Sequence, residues 1–438
     1  MRLVHAAACL ALLAGCLCDA EGRGAELTAG VARVDLTPPA TMKAALGGYG
    51  DRMSRPAEGV HDRVFAKALV VAGASKRFAL VTADVLAFPP PIKPAVVERL
   101  SGEGWGSGQI MLLPSHSHTS IDMSAIHPEN KLGIPQIGVY QAELYEWVVE
   151  RLAGVIREAG RRPVPVAVGT SRKRLAGWNR NRRGSEGPVD DDLTVTRIDT
   201  REGRPLAILF QFTAHPTLML PEHMLFSGGW PGHAQRTVEA LAGDGVAAMF
   251  YNGAQGDQSP VARPDSGPSR WEVAERYGRE LGIEVWKLWD ATSTDPTVAF
   301  AFHDQPIDLP DRTWHADFLA TGGKEYALSE MLLRTMLPRL FPDATSSVSL
   351  RLGDLVIVGV PGELTAELGL RLKAEAARAA GVEHAVIGGL ADAWLSYILS
   401  EAEYRKGGYE ASVSFYGPTL GETIVAGALE GVKRLASP

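Results

Sequence analysis

Two histidines one residue apart stand where an apolar run stops: Pro114-Ser115-His116-Ser117-His118-Thr119-Ser120 follows directly on residues 110–113. Side chains of an extended chain alternate between faces, so an H-x-H pair at a strand end turns both imidazoles to one side. Such a pair offers two nitrogens to a metal ion or to a reacting carbonyl; two hydrogen-bonded loop histidines are the plainer reading. A third histidine, His215, closes another apolar run in Phe212-Thr213-Ala214-His215-Pro216-Thr217. A backbone-satisfied histidine at the edge of a core would look the same, but ligands from separate strand ends are how open α/β sheets build sites. Glu363 lies in Gly359-Val360-Pro361-Gly362-Glu363-Leu364-Thr365, where an apolar run gives way to helical spacing. The helix dipole accounts for a carboxylate there by capping alone. With His116 and His215 it would instead complete a His₂Glu set of the kind that holds catalytic zinc.

Three further segments carry polar chemistry. Asn252-Gly253-Ala254-Gln255-Gly256-Asp257-Gln258-Ser259-Pro260 follows the apolar run 246–251 and offers a carboxylate at Asp257 and a hydroxyl at Ser259. Taken alone it is an Asx or Ser turn, and it is not the G-x-S-x-G elbow of the α/β-hydrolases, so no serine triad is inferred. Trp178-Asn179-Arg180-Asn181-Arg182-Arg183-Gly184 suits a loop that grips an anion or a carbonyl, with solvated surface charge as the default. Tyr404, Tyr409 and Tyr416 cluster in a chain that is only 7% aromatic; packing is the usual role of tyrosine, and spacing assigns no catalytic phenol.

The elements that must position these groups are legible from periodicity. Strands are expected at 66–71, 78–82, 110–113, 164–169, 206–213, 246–251, 297–302, 348–352 and 355–360. Helical spacing runs through 137–159, where Tyr140, Leu144, Val148, Leu152 and Ile156 recur at four-residue steps, and again through 271–289 and 364–380. Strands and helices mix without strict βαβ alternation, which predicts an α/β fold with a mixed sheet and one catalytic domain over residues 25–438. The Gly- and Pro-rich residues 21–62, with Gly47-Gly48-Tyr49, suit a surface arm or a loop near a pocket.

A net charge of −7 leaves no basic footprint for nucleic acid, and nothing implies a protein partner. All three cysteines, Cys9, Cys16 and Cys18, fall within the first eighteen residues. The rest of the chain therefore has no disulfide and no thiolate, and any metal there must take nitrogen and oxygen ligands. Arg2 followed by the apolar residues 3–15 reads as an export signal over residues 1–20. Leu13-Ala14-Gly15-Cys16 resembles a lipoprotein signal with Cys16 as the lipidated residue, and cleavage after Ala20 is the competing reading. The expected location is the bacterial cell envelope as a lipoprotein, or the periplasm or exterior.

Taken in order, these motifs resemble the neutral, non-lysosomal ceramidases. The likeness runs from Val34-Asp35-Leu36-Thr37-Pro38-Pro39 through His116-Ser117-His118-Thr119, Asn179-Arg180-Asn181-Arg182, His215 and Gly256-Asp257-Gln258-Ser259-Pro260. It continues through Pro361-Gly362-Glu363 to Glu403-Tyr404, Tyr409-Glu410 and Tyr416-Gly417-Pro418. It departs at Val261, where the family has Asn, and at Arg183-Gly184-Ser185, where it has R-S-P. Neutral ceramidases carry a further C-terminal immunoglobulin-like sandwich, so the likeness covers the catalytic domain. The resemblance implies a zinc-dependent amidase acting on an N-acyl lipid at or near a membrane surface. It places Zn²⁺ on His116, His215, Glu363 and Tyr404, with His118, Arg182 and Tyr416 around the scissile carbonyl and Ser259 at the position described as the nucleophile. Zinc-activated water is the alternative nucleophile, with Ser259 positioning substrate or water. The competing functions are a metal-dependent amidase or esterase on another N-acyl or O-acyl compound, a phosphoester hydrolase using the 180–183 arginines, and a non-catalytic exported lipid- or glycan-binding protein. A long apolar groove beside the histidines favours ceramide; a shallow polar one favours a smaller substrate.

Overall fold

A computed structural model describes residues 25–73, 76–263 and 267–436. The export signal, Cys16 and the other cysteines lie outside the described residues. Four layers stack in the order helix, sheet, sheet, helix. The larger sheet has its strands in the spatial order Ala247–Tyr251, Pro205–Phe212, Asp192–Thr200, Val164–Arg174, Ala25–Asp35, Phe65–Gly73, Lys76–Ala83 and Ile110–Pro114, with Thr297–Val298 added on Ala25–Asp35. The two outermost pairs, at opposite edges, are parallel, and the pairs between them are antiparallel. The smaller sheet runs Phe300–Asp308, Ala344–Leu352, Leu355–Val360, His384–Gly389.

Both faces of the larger sheet are covered, which is why its strands read as nearly unbroken apolar runs rather than as alternating ones. On Phe65–Gly73, for example, Ala66, Ala68 and Val70 pack under the helices Ile92–Leu100 and Ala142–Gly160. Leu69 and Val71 turn to the opposite face and meet Val348, Leu350 and Ile357 of the smaller sheet. Farther along the outer face, the helices Gly229–Ala242 and Arg270–Asp290 bury Trp230, Val238, Leu281 and Val285 against Phe210 and Phe250. The helices Ala366–Ala380 and Leu420–Ala436 cover the far side of the smaller sheet. Each fully buried Leu, Val or Phe is worth about 1.5–3 kcal/mol, so these repeated contacts hold the layers together.

The three expected helices and all but one of the expected strands are present, with ends moved by a few residues: the periodicity at 137–159 becomes Ala142–Gly160, whereas the run expected at 297–302 divides between Thr297–Val298 of the larger sheet and Phe300–Asp308 of the smaller one. One expectation is corrected. Residues 21–62 are not simply an arm or loop, because Ala25–Asp35 is a central strand paired with Phe65–Gly73 on one side and Val164–Arg174 on the other. Its Gly and Ala content suits close approach: a Cβ at Gly30 would lie 2.1 Å from Ala159 O. Gly47-Gly48-Tyr49, by contrast, does line a pocket.

Ile110–Pro114 and Ala247–Tyr251 are opposite edges of the sheet, yet their C-terminal ends meet. The Asn252 side-chain amide donates to Ser115 O (3.4 Å) and to Ala214 O (2.9 Å). This fold-back brings the His116 and His215 loops into contact.

Candidate metal centre and its cavity

His116 is reached by a turn and not by a strand. The strand stops at Pro114, and His116 takes φ +68°, a left-handed conformation that is uncommon for non-glycine residues. The period-two alternation therefore does not orient the H-x-H pair. The turn does so, leaving the His116 and His118 Nε2 atoms 3.4 Å apart. His116 Nδ1 donates to Leu86 O (2.6 Å), and His215 Nδ1 donates to Gln255 O (3.1 Å). In their neutral forms both rings are left with a bare Nε2, and these two atoms face each other at 3.0 Å. Glu363 Oε2 lies 3.4 Å from each of them. That oxygen is buried with no hydrogen-bond partner among the described residues, while Glu363 Oε1 accepts from Trp394 Nε1 (2.8 Å).

Three electron-pair donors, each anchored through its other polar atom, thus converge on one point. Two ligands at zinc distances and a tetrahedral angle stand about 3.3 Å apart, close to the spacings found here. The carbonyl contacts behind the imidazoles are the outer partners that metal-ligating histidines usually have. The residues fit a divalent cation, and His116, His118 and His215 together form a group able to hold one. Burial and the neighbouring Arg182 and His116 push His215 well below the ordinary histidine pKa. Burial with His116 and Arg52 does the same to His118, so both rings offer lone pairs at neutral pH. Burial would raise Glu363, but His116, Trp394 and Arg182 hold it below the usual range, as a carboxylate.

The expected tyrosines do not reach this point. Tyr404 packs its ring edge-on against His315, 5.0 Å between centroids, in the core beneath the helices. Tyr416 donates its hydroxyl to Pro342 O (2.8 Å). Tyr397 lies nearer: the short parallel pair Glu363–Leu364 and Tyr397–Ile398 puts it in register with Glu363. Its hydroxyl accepts from Arg182 Nη2 (2.9 Å), and burial and Glu363 push its pKa well above the tyrosine range. Arg182 also donates to Glu410 Oε1 (2.7 Å) and Gly256 O (2.8 Å). Ser259 pairs with Arg180 on a short antiparallel ladder and is not among the residues lining the cavity. Nothing in the sequence separates Tyr397 from the other tyrosines; the signal is the pairing register, which is tertiary.

A cavity of about 130 Å³ opens beside the cluster, roughly ten times the space one water needs. His116, His118, Glu363, Tyr397 and Tyr409 form its polar wall. The remainder is mostly apolar and includes Phe318, Leu328, Met336, Leu340, Phe341 and Phe415. Gly48, at φ +93°, lies under His118, where a Cβ would come within 2.4 Å of Nδ1.

Among known families, the profile of the neutral/alkaline non-lysosomal ceramidase N-terminal domain matches residues 27–267 and 331–425. The chain belongs to that family. Neutral ceramidase of Pseudomonas aeruginosa is 23% identical over 467 residues, which cover 89% of this chain and 69% of that protein. The neutral ceramidase of Mycobacterium tuberculosis is 23% identical over 483 residues, covering 89% and 74%. The crystal structure of the Pseudomonas aeruginosa family member superposes with a TM-score of 0.79 at 19% identity, over 94% of this chain and 75% of that one, so the fold is shared. All the residues of the metal centre fall inside the matched stretches. Phe318, Tyr326 and Leu328 of the cavity wall fall between them. No helix among the described residues is long and apolar enough to cross a membrane.

Proposed function

We propose that this protein is a zinc-dependent amidohydrolase that cleaves the amide bond of ceramide, or of a closely related N-acyl lipid, to a free fatty acid and an amine. The observation that carries this reading is an apolar cavity whose polar wall includes His116, His118 and Glu363, with His215 Nε2 3.0 Å from His116 Nε2. A lipid chain lying against Leu340, Phe341 and Phe415 would present its amide to those side chains. Residues 25–438 would act as one catalytic unit, exported and working near a membrane surface, with the lipid as its partner.

His116, His215 and Glu363 would hold the zinc ion, with Tyr397 in the place the resemblance gives to Tyr404. Two imidazoles, a carboxylate and a phenol form a nitrogen and oxygen set of the type zinc accepts. When bound, such an ion polarises a carbonyl and lets water ionise near neutral pH. The chain's own groups do the rest. The apolar wall excludes water from the acyl chain and orients the amide. Arg182, kept charged despite its burial by Tyr397, Glu410 and Glu363, holds the Tyr397 phenol in place. His118 Nε2, on a neutral ring beside His116, can take a proton from the attacking water and return it to the departing amine nitrogen. Tyr409, which lines the cavity as Tyr416 does not, would be the phenol that donates to the carbonyl oxygen as it gains charge. Such a donor is worth roughly 2.7–4 kcal/mol. Because Ser259 does not line the cavity, water is preferred as the attacking group.

The test is a substrate panel on the purified chain at measured zinc content: N-acyl sphingosines, N-acyl amino acids and phosphoesters. Fatty-acid release from the N-acyl lipids, lost on chelation and restored by zinc, is the expected result. Turnover confined to the amino-acid or phosphate compounds would overturn the lipid assignment.

A further inference from the structure

His384 opens the strand His384–Gly389 of the smaller sheet and is only 5% exposed. Its Nδ1 is buried with no hydrogen-bond partner among the described residues. Its Nε2 faces two carboxylates, 3.6 Å from Asp354 Oδ2 and 4.0 Å from Glu383 Oε1, beyond hydrogen-bond reach of either. Burying an imidazole with neither nitrogen bonded is costly. Among the described residues neither carboxylate pairs with a lysine or an arginine. Arg351, beside the same turn, donates instead to Gly353 O (3.2 Å) and Ala380 O (3.3 Å).

The backbone brings the three side chains together. Gly353, at φ +68°, makes the turn between Ala344–Leu352 and Leu355–Val360, a conformation that glycine adopts without steric cost. Asp354 O then accepts from His384 N (3.1 Å), and the parallel ladder starts with Leu355 opposite His384. Glu363 and Trp394 follow the other ends of these two strands. A strand of that length spans roughly 20 Å, so the cluster stands apart from the histidine centre.

We propose that Asp354, Glu383 and His384 form a second cation site, for a divalent first-row transition metal, that serves stability and takes no part in hydrolysis. Their ligand atoms lie within 4.8 Å of one another. One imidazole and two carboxylates, completed by water, make a nitrogen and oxygen set that such ions accept. The buried ring is fixed by the core, whereas the Asp354 and Glu383 side chains, 50% and 76% exposed, are free to close on the ion. A bound ion ties the turn at Gly353 to the start of the neighbouring strand, and so stabilises the sheet that leads to Glu363. Because two of its three ligands are exposed, this ion exchanges readily and desalting removes it, while the enclosed centre keeps its own.

Mn²⁺ is the probe, because zinc binds more tightly than manganese at such donors and is not displaced from the enclosed centre. The full chain is loaded with zinc, desalted and titrated with MnCl₂. Free Mn²⁺ is read by electron paramagnetic resonance, with melting temperature and zinc content measured in parallel. The expected result is one equivalent of bound Mn²⁺ and a higher melting temperature. Asp354→Asn and Glu383→Gln, at exposed positions that tolerate the change, should each weaken binding at least about 10-fold. His384→Ala should abolish it, and all three variants should keep the parent's zinc content. Absence of binding at about 1 mM Mn²⁺, the weak end of carboxylate sites, overturns the proposal and leaves His384 in a plain histidine–carboxylate pair. Binding that survives in the Asp354 and Glu383 variants, or that displaces zinc, also overturns it.

Discussion

His116 and His215 aim bare Nε2 atoms at one another across 3.0 Å, because each ring spends its Nδ1 proton on a backbone carbonyl. Two lone pairs at that separation, with the unpartnered Glu363 Oε2 beside them, are satisfied together by a cation and by little else. The fold supplies the repulsion in advance and leaves the ion to relieve it.

Metal binding should therefore stabilise the protein measurably. Saturating zinc at 100 times its dissociation constant adds about 2.7 kcal/mol to the unfolding free energy. Chelator-treated protein should melt lower and recover one equivalent of zinc by elemental analysis. His116→Ala, His215→Ala and Glu363→Gln should each lose that recovery; a variant that still binds one equivalent with unchanged affinity would remove its residue from the ligand set.

The two tyrosines should behave differently. Tyr397→Phe removes the phenol that faces Glu363 and accepts from Arg182, and should lower both zinc affinity and kcat, the latter by about 10²–10³-fold. Tyr404→Phe alters packing against His315 in the core, away from the cavity lining, and should keep kcat within about threefold, because it removes no contact to the reacting amide. Side-by-side titration and steady-state kinetics decide the matter, and a reversed order would restore Tyr404 to the site.

Gly48→Ala should damage the centre without touching a ligand. The new methyl would lie 2.4 Å from His118 Nδ1, and the backbone there is left-handed at φ +93°. Strain of about 1–3 kcal/mol is expected, read by urea unfolding, with the His118 ring displaced and turnover reduced. Unaltered stability and turnover would show that the loop yields freely.

Asp122 should make stability fall with pH. Burial raises its pKa from 3.8 to about 7 in the folded chain. The folded state thus holds a proton that the unfolded state gives up between those values. Its contribution is fully present below pH 3.8 and is lost as pH climbs to about 7, by at most a few kcal/mol. Asp122→Asn carries no such penalty, so its melting temperature should gain on the parent's steadily across that interval and level off above it. A difference independent of pH would place Asp122 in an ordinary solvated environment.

Much of this molecule is local and so can be read from the chain alone. Apolar runs of strand length, four-residue helical steps and the positions of His116, His215 and Glu363 at the ends of such runs are properties of short windows, and they are where the elements and three of the converging donors are found. The proposed role of Tyr397 in place of Tyr404 is not local. It depends on the register between Glu363–Leu364 and Tyr397–Ile398, two segments more than thirty residues apart, whose pairing no window contains. The same holds for the contact between His116 and His215, made by opposite ends of a sheet that folds back on itself, and for the apolar cavity assembled from loops far apart in sequence. Asp122 shows the limit most clearly: a carboxylate is ordinary in a loop sequence, and only tertiary packing, with Gly47 and Gly138 close against it, leaves it 7% exposed in the cavity wall.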